Sequence, residues 1–344
     1  MKSDIIYVDK KSEIPLFGLD FIGIIDRGTN VIEIKPLTLC NLRCKYCFVS
    51  AGDYNTNFIV DSQYMLKKIE EIVAIKGNYK IEIHFAPYGE ILLYQKLIEL
   101  IRSLWKIEGI ETISMQTNGL LLNDKIIEKL VDSKITRINI SLNSLNQKKA
   151  EFLCDCDNYN MEGLIKNILC LLNTDIDVLL APVWFPREND KDIEDIVKFV
   201  IELRRKGFSD KKIQLGIQKY LIYKTGRRLK KVRPKTWGYF YDHLSKLEKK
   251  YYIKLKLGPL DFGIHKRKIV GSLNIKKNDS IGLKIISKGR WENEYIGKIN
   301  DNLGVKLLIN KTINDTEKLI GKYIEAKIIK ADHKDNILTA SFSI

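Results

Sequence analysis

Hydrophobic and polar positions alternate with two different periods along the first 257 residues of the chain. Short runs rich in β-branched residues predict strands at 31–35, 80–85, 111–116, 137–142, 177–182 and 213–218. Stretches of helical period predict helices at 62–76, 94–107, 122–132, 146–172, 190–206 and 235–252. Strand and helix that alternate six times indicate right-handed βαβ units and a parallel sheet. We therefore expect an α/β fold. Six units suit a six-fold partial barrel or a doubly wound sheet, and we expect the partial barrel.

Beyond residue 263 the pattern changes to short alternating runs separated by turn-forming residues. These runs start at residues 281, 295, 305, 323 and 337. Five short strands within about 70 residues predict a small all-β barrel. The sequence therefore divides into an N-terminal extension (1–30), an α/β domain with a closing helix (31–262) and a β-barrel domain (271–344).

Composition narrows the class of protein further. The chain has 344 residues, of which 45% are hydrophobic and 29% charged, as in a globular protein of two domains. No apolar run approaches the roughly 18 to 20 residues of a membrane span, and the first 15 residues lack the apolar core of a signal peptide. Six cysteines, three of them clustered, favour a reducing compartment. We expect a cytoplasmic protein without a membrane partner.

The net charge of +15 is concentrated in one region. Between residues 204 and 268 there are 21 Lys and Arg against four Asp and Glu, with aromatic residues among them. Such a region is either a solvated surface or a footprint for a phosphate backbone, where the aromatic rings stack on unpaired bases. Under the second interpretation we expect RNA contacts from the densest run, which contains Arg227, Arg228, Lys230 and Lys231.

Three cysteines lie within the eight residues "CNLRCKYC", at Cys40, Cys44 and Cys47. They follow the first strand of the α/β domain, at the carboxyl end where such folds place their sites. A structural zinc site needs four ligands, and the nearest histidine, His84, lies on the next predicted strand. A 4Fe–4S cluster held by three thiolates keeps one iron open for a further ligand. The triad therefore favours an iron–sulfur cluster, with an incomplete zinc site as the alternative.

The spacing C-x₃-C-x₂-C with an aromatic residue before the last cysteine resembles the signature of the radical S-adenosylmethionine (SAM) superfamily. That resemblance implies that the open iron chelates SAM and that an electron from the cluster splits SAM into methionine and a 5′-deoxyadenosyl radical. "PYGE", "QTNG", "ISLNS" and "LGIQ" are similar to further motifs of the family at successive strand ends. Tyr88 and Ile91 depart from the usual Gly-Gly-Glu-Pro. The resemblance implies that SAM is bound by Tyr46, Gly89, Glu90, Thr117, Asn118, Ser141, Asn143 and Gln218.

The C-terminal sequence from "GRWENEYIGKIN" to "NILTA" is similar to the TRAM domain, a small β-barrel that binds tRNA. An unrelated OB-like barrel that serves as a protein contact is the alternative. The whole arrangement resembles archaeal radical SAM–TRAM proteins. Three cysteines remain, Cys154, Cys156 and Cys170. Their spacing is a poor match to a second cluster; Cys154 and Cys156 are candidates for a catalytic thiol, and all three suit buried small side chains as well.

Together these resemblances predict a radical SAM enzyme that modifies a nucleotide of tRNA and takes its electron from a ferredoxin or flavodoxin. The chain shows no domain that suggests sulfur insertion, so we expect C–H functionalisation, such as methylation of a hypermodified adenosine in the anticodon loop. The alternatives are modification of a peptide or protein, with the β-barrel as a docking domain, or of a small molecule.

Overall fold

The computed structural model of the protein describes residues 3–270, 274–309, 319–332 and 334–342. The predicted bounds 1, 271 and 344 lie outside these residues. The strands are β1 (Asp4–Val8), β2 (Gly23–Asp26), β3 (Val31–Lys35), β4 (Thr56–Val60), β5 (Ile81–Phe85), β6 (Ile110–Thr117), β7 (Arg137–Ile140), β8 (Asp177–Leu180), β9 (Val183–Trp184), β10 (Ile213–Leu215), β11 (Gln218–Lys219), β12 (Ser280–Lys288), β13 (Glu294–Asn300), β14 (Leu303–Ile309), β15 (Tyr323–Asp332) and β16 (Ile337–Phe342). The α-helices are α1 (Ser62–Lys76), α2 (Leu97–Leu104), α3 (Asp124–Asp132), α4 (Gln147–Cys154), α5 (Met161–Leu172), α6 (Asp190–Arg205) and α7 (Trp237–Tyr251).

The chain forms two compact units, each built from separated segments. Unit 1 comprises Met1–Leu39, Asp53–Glu111 and Ile264–Ile344, and unit 2 comprises Cys40–Gly52 and Thr112–Gly263. The predicted domain bounds follow changes of sequence pattern, and they stay a prediction.

In unit 1, the region predicted as an N-terminal extension contributes strands. β1 pairs in parallel with β4, and β2 pairs antiparallel with β3, which in turn pairs in parallel with β5. Helix α1 begins where the Asp61 carboxylate accepts the N–H of Tyr64 at 2.8 Å, and it ends at Gly77, whose φ of 92° favours glycine. Its buried face carries Met65 and Ile69, as the helical period predicts.

Unit 1 also contains the closed five-stranded barrel, in the order β12-β13-β14-β16-β15. Its strands pair antiparallel except for β14 and β16, which are parallel. Alternate residues such as Leu283 and Ile285, or Val305 and Leu307, fill its interior. The predicted small barrel is confirmed, and its TRAM or OB identity stays a prediction.

The barrel packs against the N-terminal segment of the same unit. The N–H of Gly304 donates to the carbonyl of Phe17 at 2.7 Å, and Lys306 forms a 2.7 Å ion pair with Asp20. Gly18 has φ 92°, and a Cβ there would lie 1.9 Å from the carbonyl oxygen of Gly304. Only glycine fits this position. The barrel is thus built into unit 1 and is not a tethered tail.

Unit 2 contains four parallel strands in the order β6-β7-β8-β10, together with the short parallel pair β9 and β11. Strands and helices alternate as the sequence predicts, and the α/β class is confirmed. The closure of six units into a partial barrel stays a prediction.

One predicted helix is wrong in its extent. The span 146–172 is two helices, α4 and α5, because Asp155 adopts a left-handed conformation with φ 52° and its N–H closes the last turn on Glu151. Asn160 then caps the start of α5 through the N–H of Gly163. The intervening "DCDNYN" is rich in Asp and Asn, which favour turns and caps over helix interiors.

Candidate active site

The three clustered cysteines lie on a loop of unit 2, residues 40–52, which we call the cysteine loop. Two backbone turns shape it: the N–H of Cys47 donates to the carbonyl of Cys44 at 3.1 Å, and the N–H of Ser50 donates to the carbonyl of Cys47 at 3.2 Å. All three cysteines are outside disulfide bonds and only partly exposed. The predicted metal ligands are thus partly accessible on one irregular loop.

Tyr46 is fixed between the second and third cysteines. Its ring packs 4.8 Å from the ring of Phe185, and its hydroxyl accepts a hydrogen bond from the side-chain amide of Asn143. The carbonyl oxygen of the same amide accepts the N–H of Val183 at 2.7 Å. The structure therefore brings together two predicted SAM residues, Tyr46 and Asn143, and Asn143 orients the tyrosine.

The motifs that follow β6 and β7 are also tied to one another within unit 2. The amide of Gln116 donates to the Ser141 hydroxyl at 2.9 Å, and the amide of Asn118 donates to Asn41 of the cysteine loop at 2.8 Å. The Thr117 hydroxyl accepts the N–H of Gly119 at 3.0 Å. Gln116 was not among the predicted residues. Its place one residue before Thr117 on β6 was the available signal.

Gln218 lies at the start of β11 with an exposed side chain. Its N–H donates to the carbonyl of Pro182 at 2.7 Å, so its backbone is held to the strand-end segment before β9. Its predicted contact with SAM stays a prediction.

Gly89 and Glu90 belong to unit 1. A Cβ on Gly89 would lie 2.0 Å from the carbonyl oxygen of Leu39, and the N–H of Glu90 donates to that same oxygen at 2.7 Å. The glycine is therefore required because the chain immediately before Cys40 runs against it. The Glu90 carboxylate is buried and accepts the N–H of Leu92 at 3.0 Å, which caps a short 3₁₀ helix.

Tyr88, one of the departures from the usual motif, has a local explanation in unit 1. Lys35 lies 4.6 Å from the centre of its ring, and the buried guanidinium of Arg290 lies 5.7 Å from it. Arg290 itself is paired with Glu294 at 3.0 Å. A glycine at position 88 would remove the ring that these two cations face.

Three comparisons place this geometry among known proteins. The sequence model of the Radical SAM superfamily matches residues 34–200. The chain therefore contains a radical SAM superfamily domain. It is also 33% identical, over 98% of its length and 81% of the relative's, to "Uncharacterized protein MJ0103" of Methanocaldococcus jannaschii.

Other relatives match over a shorter part. The GTP 3',8-cyclase of Aquifex aeolicus is 30% identical over 176 residues, which is 51% of this chain and 54% of the cyclase. The chain thus spans about half the length of that cyclase. The crystal structure of HydG, a maturase of the [FeFe]-hydrogenase, superimposes with a TM-score of 0.51 at 11% identity, over 74% of this chain and 56% of HydG. This likeness shows a shared fold.

Radical SAM enzymes use a 4Fe–4S cluster and SAM, and the residues of this enzyme fit the cluster. Burial raises the pKa of the Cys47 thiol, and a hydrogen bond with Cys154, together with burial, raises the pKa of Cys44 well above its usual value. Such thiols keep their protons until a cation displaces them. Among the residues that the structure describes, no three His, Cys, Asp or Glu side chains are arranged around a single metal ion. A cluster spreads its thiolates over several irons. When bound, the cluster supplies the electron that cleaves SAM.

Of the remaining cysteines, the structure brings one to the radical SAM site. Cys154 ends α4, is buried, and lies within hydrogen-bonding reach of the Cys44 thiol. The preceding residue, Leu153, accepts the N–H of Lys45 at 2.9 Å. Cys156 and Cys170 are partly exposed. A catalytic role for Cys154 or Cys156 stays a prediction.

The four basic residues predicted to contact RNA do not share one environment. Arg228, Lys230 and Lys231 are exposed. The Arg227 guanidinium donates to the carbonyl oxygens of Cys44 at 2.7 Å and Ala51 at 2.8 Å, which a dense basic run could not reveal. An RNA contact from any of these four residues stays a prediction. Among the described residues, no helix is long and apolar enough to cross a membrane.

Proposed function

We propose that this radical SAM enzyme modifies a nucleotide of tRNA. The observation that carries the proposal is a surface of unit 2 formed by Lys219, Lys235, Trp237, Tyr239 and Tyr241, which we call the aromatic–lysine surface. Its three rings are about half exposed, at 53%, 54% and 47%. Exposed aromatic rings beside cations favour unpaired bases next to a phosphate backbone.

The geometry within this surface supports such a partner. Lys219 lies 5.0 Å from the centre of the Trp237 ring, and Lys235 lies 5.1 Å from the centre of the Tyr239 ring. The rings of Trp237 and Tyr241 stack 5.9 Å apart at the start of α7. Lysines and exposed aromatic rings of this kind together bind the phosphates and bases of single-stranded nucleic acid. The exposed Arg228, Lys230 and Lys231 extend the positive charge along the chain between β11 and α7.

Within this proposal the reaction is C–H functionalisation, with methylation of a hypermodified adenosine in the anticodon loop as its most specific form. The target nucleotide leaves its stack to reach the strand ends, because radical chemistry needs direct contact and the exclusion of water. A ferredoxin or flavodoxin supplies the electron. The β-barrel provides a second RNA contact.

Mass spectrometry of tRNA nucleosides tests the proposal. A strain that lacks the gene should accumulate a nucleoside lighter by the added group, and purified enzyme with SAM and reductant should convert it. A nucleoside profile identical to that of the parent strain would contradict the proposal.

The likeness to GTP 3',8-cyclases favours a second candidate, a free purine nucleotide as the substrate. A docked peptide or protein is a third. Release of 5′-deoxyadenosine separates them: tRNA, GTP and a peptide library are added in turn to the reduced enzyme. The true substrate class should raise the rate of 5′-deoxyadenosine release. If the second candidate is correct, GTP should raise that rate in the absence of RNA.

A further inference from the structure

The segment 223–227 of unit 2 lies directly on the cysteine loop. The main-chain N–H of Arg227 donates to the carbonyl of Cys47 at 2.8 Å. The Arg227 side chain donates from Nε to the carbonyl of Cys44 at 2.7 Å and from Nη2 to the carbonyl of Ala51 at 2.8 Å. One residue therefore holds three carbonyls of a loop that lies outside helices and strands.

Neighbouring contacts keep the segment close to the loop. The Ser50 hydroxyl donates to the carbonyl of Thr225 at 2.8 Å, and the rings of Phe48 and Tyr223 lie 5.6 Å apart. A Cβ on Gly226 would lie 2.5 Å from the carbonyl oxygen of Phe48. Glycine at position 226 thus lets Arg227 approach the loop.

These contacts matter because two of the three carbonyls belong to predicted cluster ligands. Buried or half-buried carbonyls need donors, and the forked guanidinium satisfies two at fixed separation. The guanidinium also places a positive charge beside the main chain of Cys44. Positive charge beside a cluster favours its reduced, more negative state.

We propose that Arg227 is a positioning residue of the cluster site, which holds the cysteine loop in its ligand-binding shape and makes the cluster easier to reduce. The proposal requires no RNA partner and is independent of the substrate class.

The test compares Arg227→Gln and Arg227→Lys with Arg233→Gln, which removes the same charge from an exposed position six residues away. Each protein is reconstituted anaerobically with iron and sulfide under identical conditions. Arg227→Gln should retain less than half of the wild-type iron. The iron content of Arg227→Lys should lie between those of wild type and Arg227→Gln, because an ammonium keeps the positive charge but lacks the paired N–H donors of the guanidinium. Hydrogen exchange of the cluster-free proteins should be faster at residues 40–52 in Arg227→Gln than in wild type, and unchanged there in Arg233→Gln.

A redox titration followed by electron paramagnetic resonance provides the second readout. Each reduction adds one electron, from dithionite, to the oxidised cluster. The midpoint potential of clusters that remain in Arg227→Gln should be more negative than in wild type, whereas Arg227→Lys and Arg233→Gln should match wild type. Gly226→Ala keeps Arg227 but should also lose iron, because the added methyl group moves segment 223–227 away from the cysteine loop.

Wild-type iron content and potential in Arg227→Gln would overturn the proposal. Equal iron loss in Arg233→Gln would overturn it as well, because the effect would then belong to general charge. If Arg227→Gln fails to fold by circular dichroism, Arg227→Lys and Gly226→Ala decide: wild-type iron content in both would overturn the assignment.

Discussion

At the scale of single residues, the cluster motif could be recognised from sequence because its ligands are close together in the chain. Cys40, Cys44 and Cys47 need only a local loop. Arg227 could not be assigned in this way, since its partners Cys44 and Ala51 are 183 and 176 residues away. A long-range hydrogen bond to backbone carbonyls leaves no trace in local spacing.

We expect Cys40→Ala, Cys44→Ala and Cys47→Ala each to abolish the 4Fe–4S cluster, because each removes one of three thiolate ligands. Iron analysis and the broad absorbance near 400 nm of anaerobically purified protein measure the loss. Cys170→Ala, on α5, is the control and should keep close to four irons. A full cluster in the triple alanine variant would refute the ligand assignment.

Two variants of Glu90 distinguish SAM binding by its carboxylate from the capping of the 3₁₀ helix. Glu90→Gln keeps an acceptor for the N–H of Leu92 but loses the charge, whereas Glu90→Ala loses both. A charged hydrogen bond to the SAM amino group is worth roughly 1.5 to 3 kcal/mol. SAM affinity, measured by equilibrium dialysis on cluster-loaded protein, should therefore fall about ten- to hundred-fold in both variants. If only Glu90→Ala binds weakly, the carboxylate acts as a cap alone.

Glu33 predicts how stability depends on pH. Burial alone would raise the pKa of this carboxyl, but the Lys35 ammonium and Arg27 guanidinium outweigh it and lower the pKa to about 2. The pairing therefore stabilises the protein above the unfolded pKa of about 4.5, by on the order of 3 kcal/mol, and that stability is lost as the pH falls toward 2. Urea unfolding between pH 6 and pH 3 should show a weaker acid dependence in Glu33→Gln. Parallel curves for the two proteins would contradict this assignment.

At the scale of elements, hydrophobic periodicity predicted those strands that the local sequence pattern determines. The six strands of the α/β region and the five of the barrel lie where the alternating runs are. Among the features that the sequence did not predict, two have a clear physical reason. β2 is a four-residue strand, "GIID", too short to show alternation, and the break between α4 and α5 depends on a left-handed residue, Asp155. β2 is identified by its antiparallel pairing with β3, which local sequence does not show.

The exposed basic residues between β11 and α7 give a prediction for RNA binding. Each neutralised phosphate adds about 0.7 to 0.9 to the slope of log affinity against log salt. Changing Arg228, Lys230 and Lys231 to Ala should flatten that slope for tRNA by about two units. The matched control changes three exposed lysines of α3 and α4, Lys125, Lys129 and Lys148, and should leave the slope unchanged. Equal slopes in both triple variants would remove this segment from the RNA footprint.

At the scale of the whole molecule, the sequence predicted a C-terminal β-barrel domain at 271–344, and contacts within unit 1 tie this barrel to the rest of that unit. The backbone carbonyl of Arg290 accepts the N–H groups of Asn55 and Thr56, at 2.9 and 3.3 Å. Its guanidinium covers the ring of Phe21 at 4.4 Å. A change in the sequence pattern marks the place where the type of sheet changes. A folding unit need not end at that place.

We therefore expect deletion of residues 272–344 to destabilise unit 1 and not simply to weaken RNA binding. Truncation would expose Phe21 and Tyr54 and leave Asp20 without Lys306. The truncated protein should unfold at least 5 °C lower in a thermal scan or be insoluble. Tyr323→Ala, at a side chain that is 80% exposed on β15, is the control and should keep wild-type stability. A truncated protein as stable as the full chain would contradict this prediction and indicate that the barrel folds as a separate domain.

The discontinuous composition of unit 1 also sets an order of events during synthesis. Every residue of unit 2 has left the ribosome before residues 264–344, which complete unit 1, have been made. At about 5 to 20 residues per second, strands such as β2 and β3 wait roughly 12 to 50 seconds for the barrel. Until the barrel is made Phe21 lacks its cover, whereas the cysteine loop and Arg227 are both present in the nascent chain before the barrel. The cysteine loop and Arg227, which the cluster site requires, are thus synthesised before residues 264–344 complete unit 1.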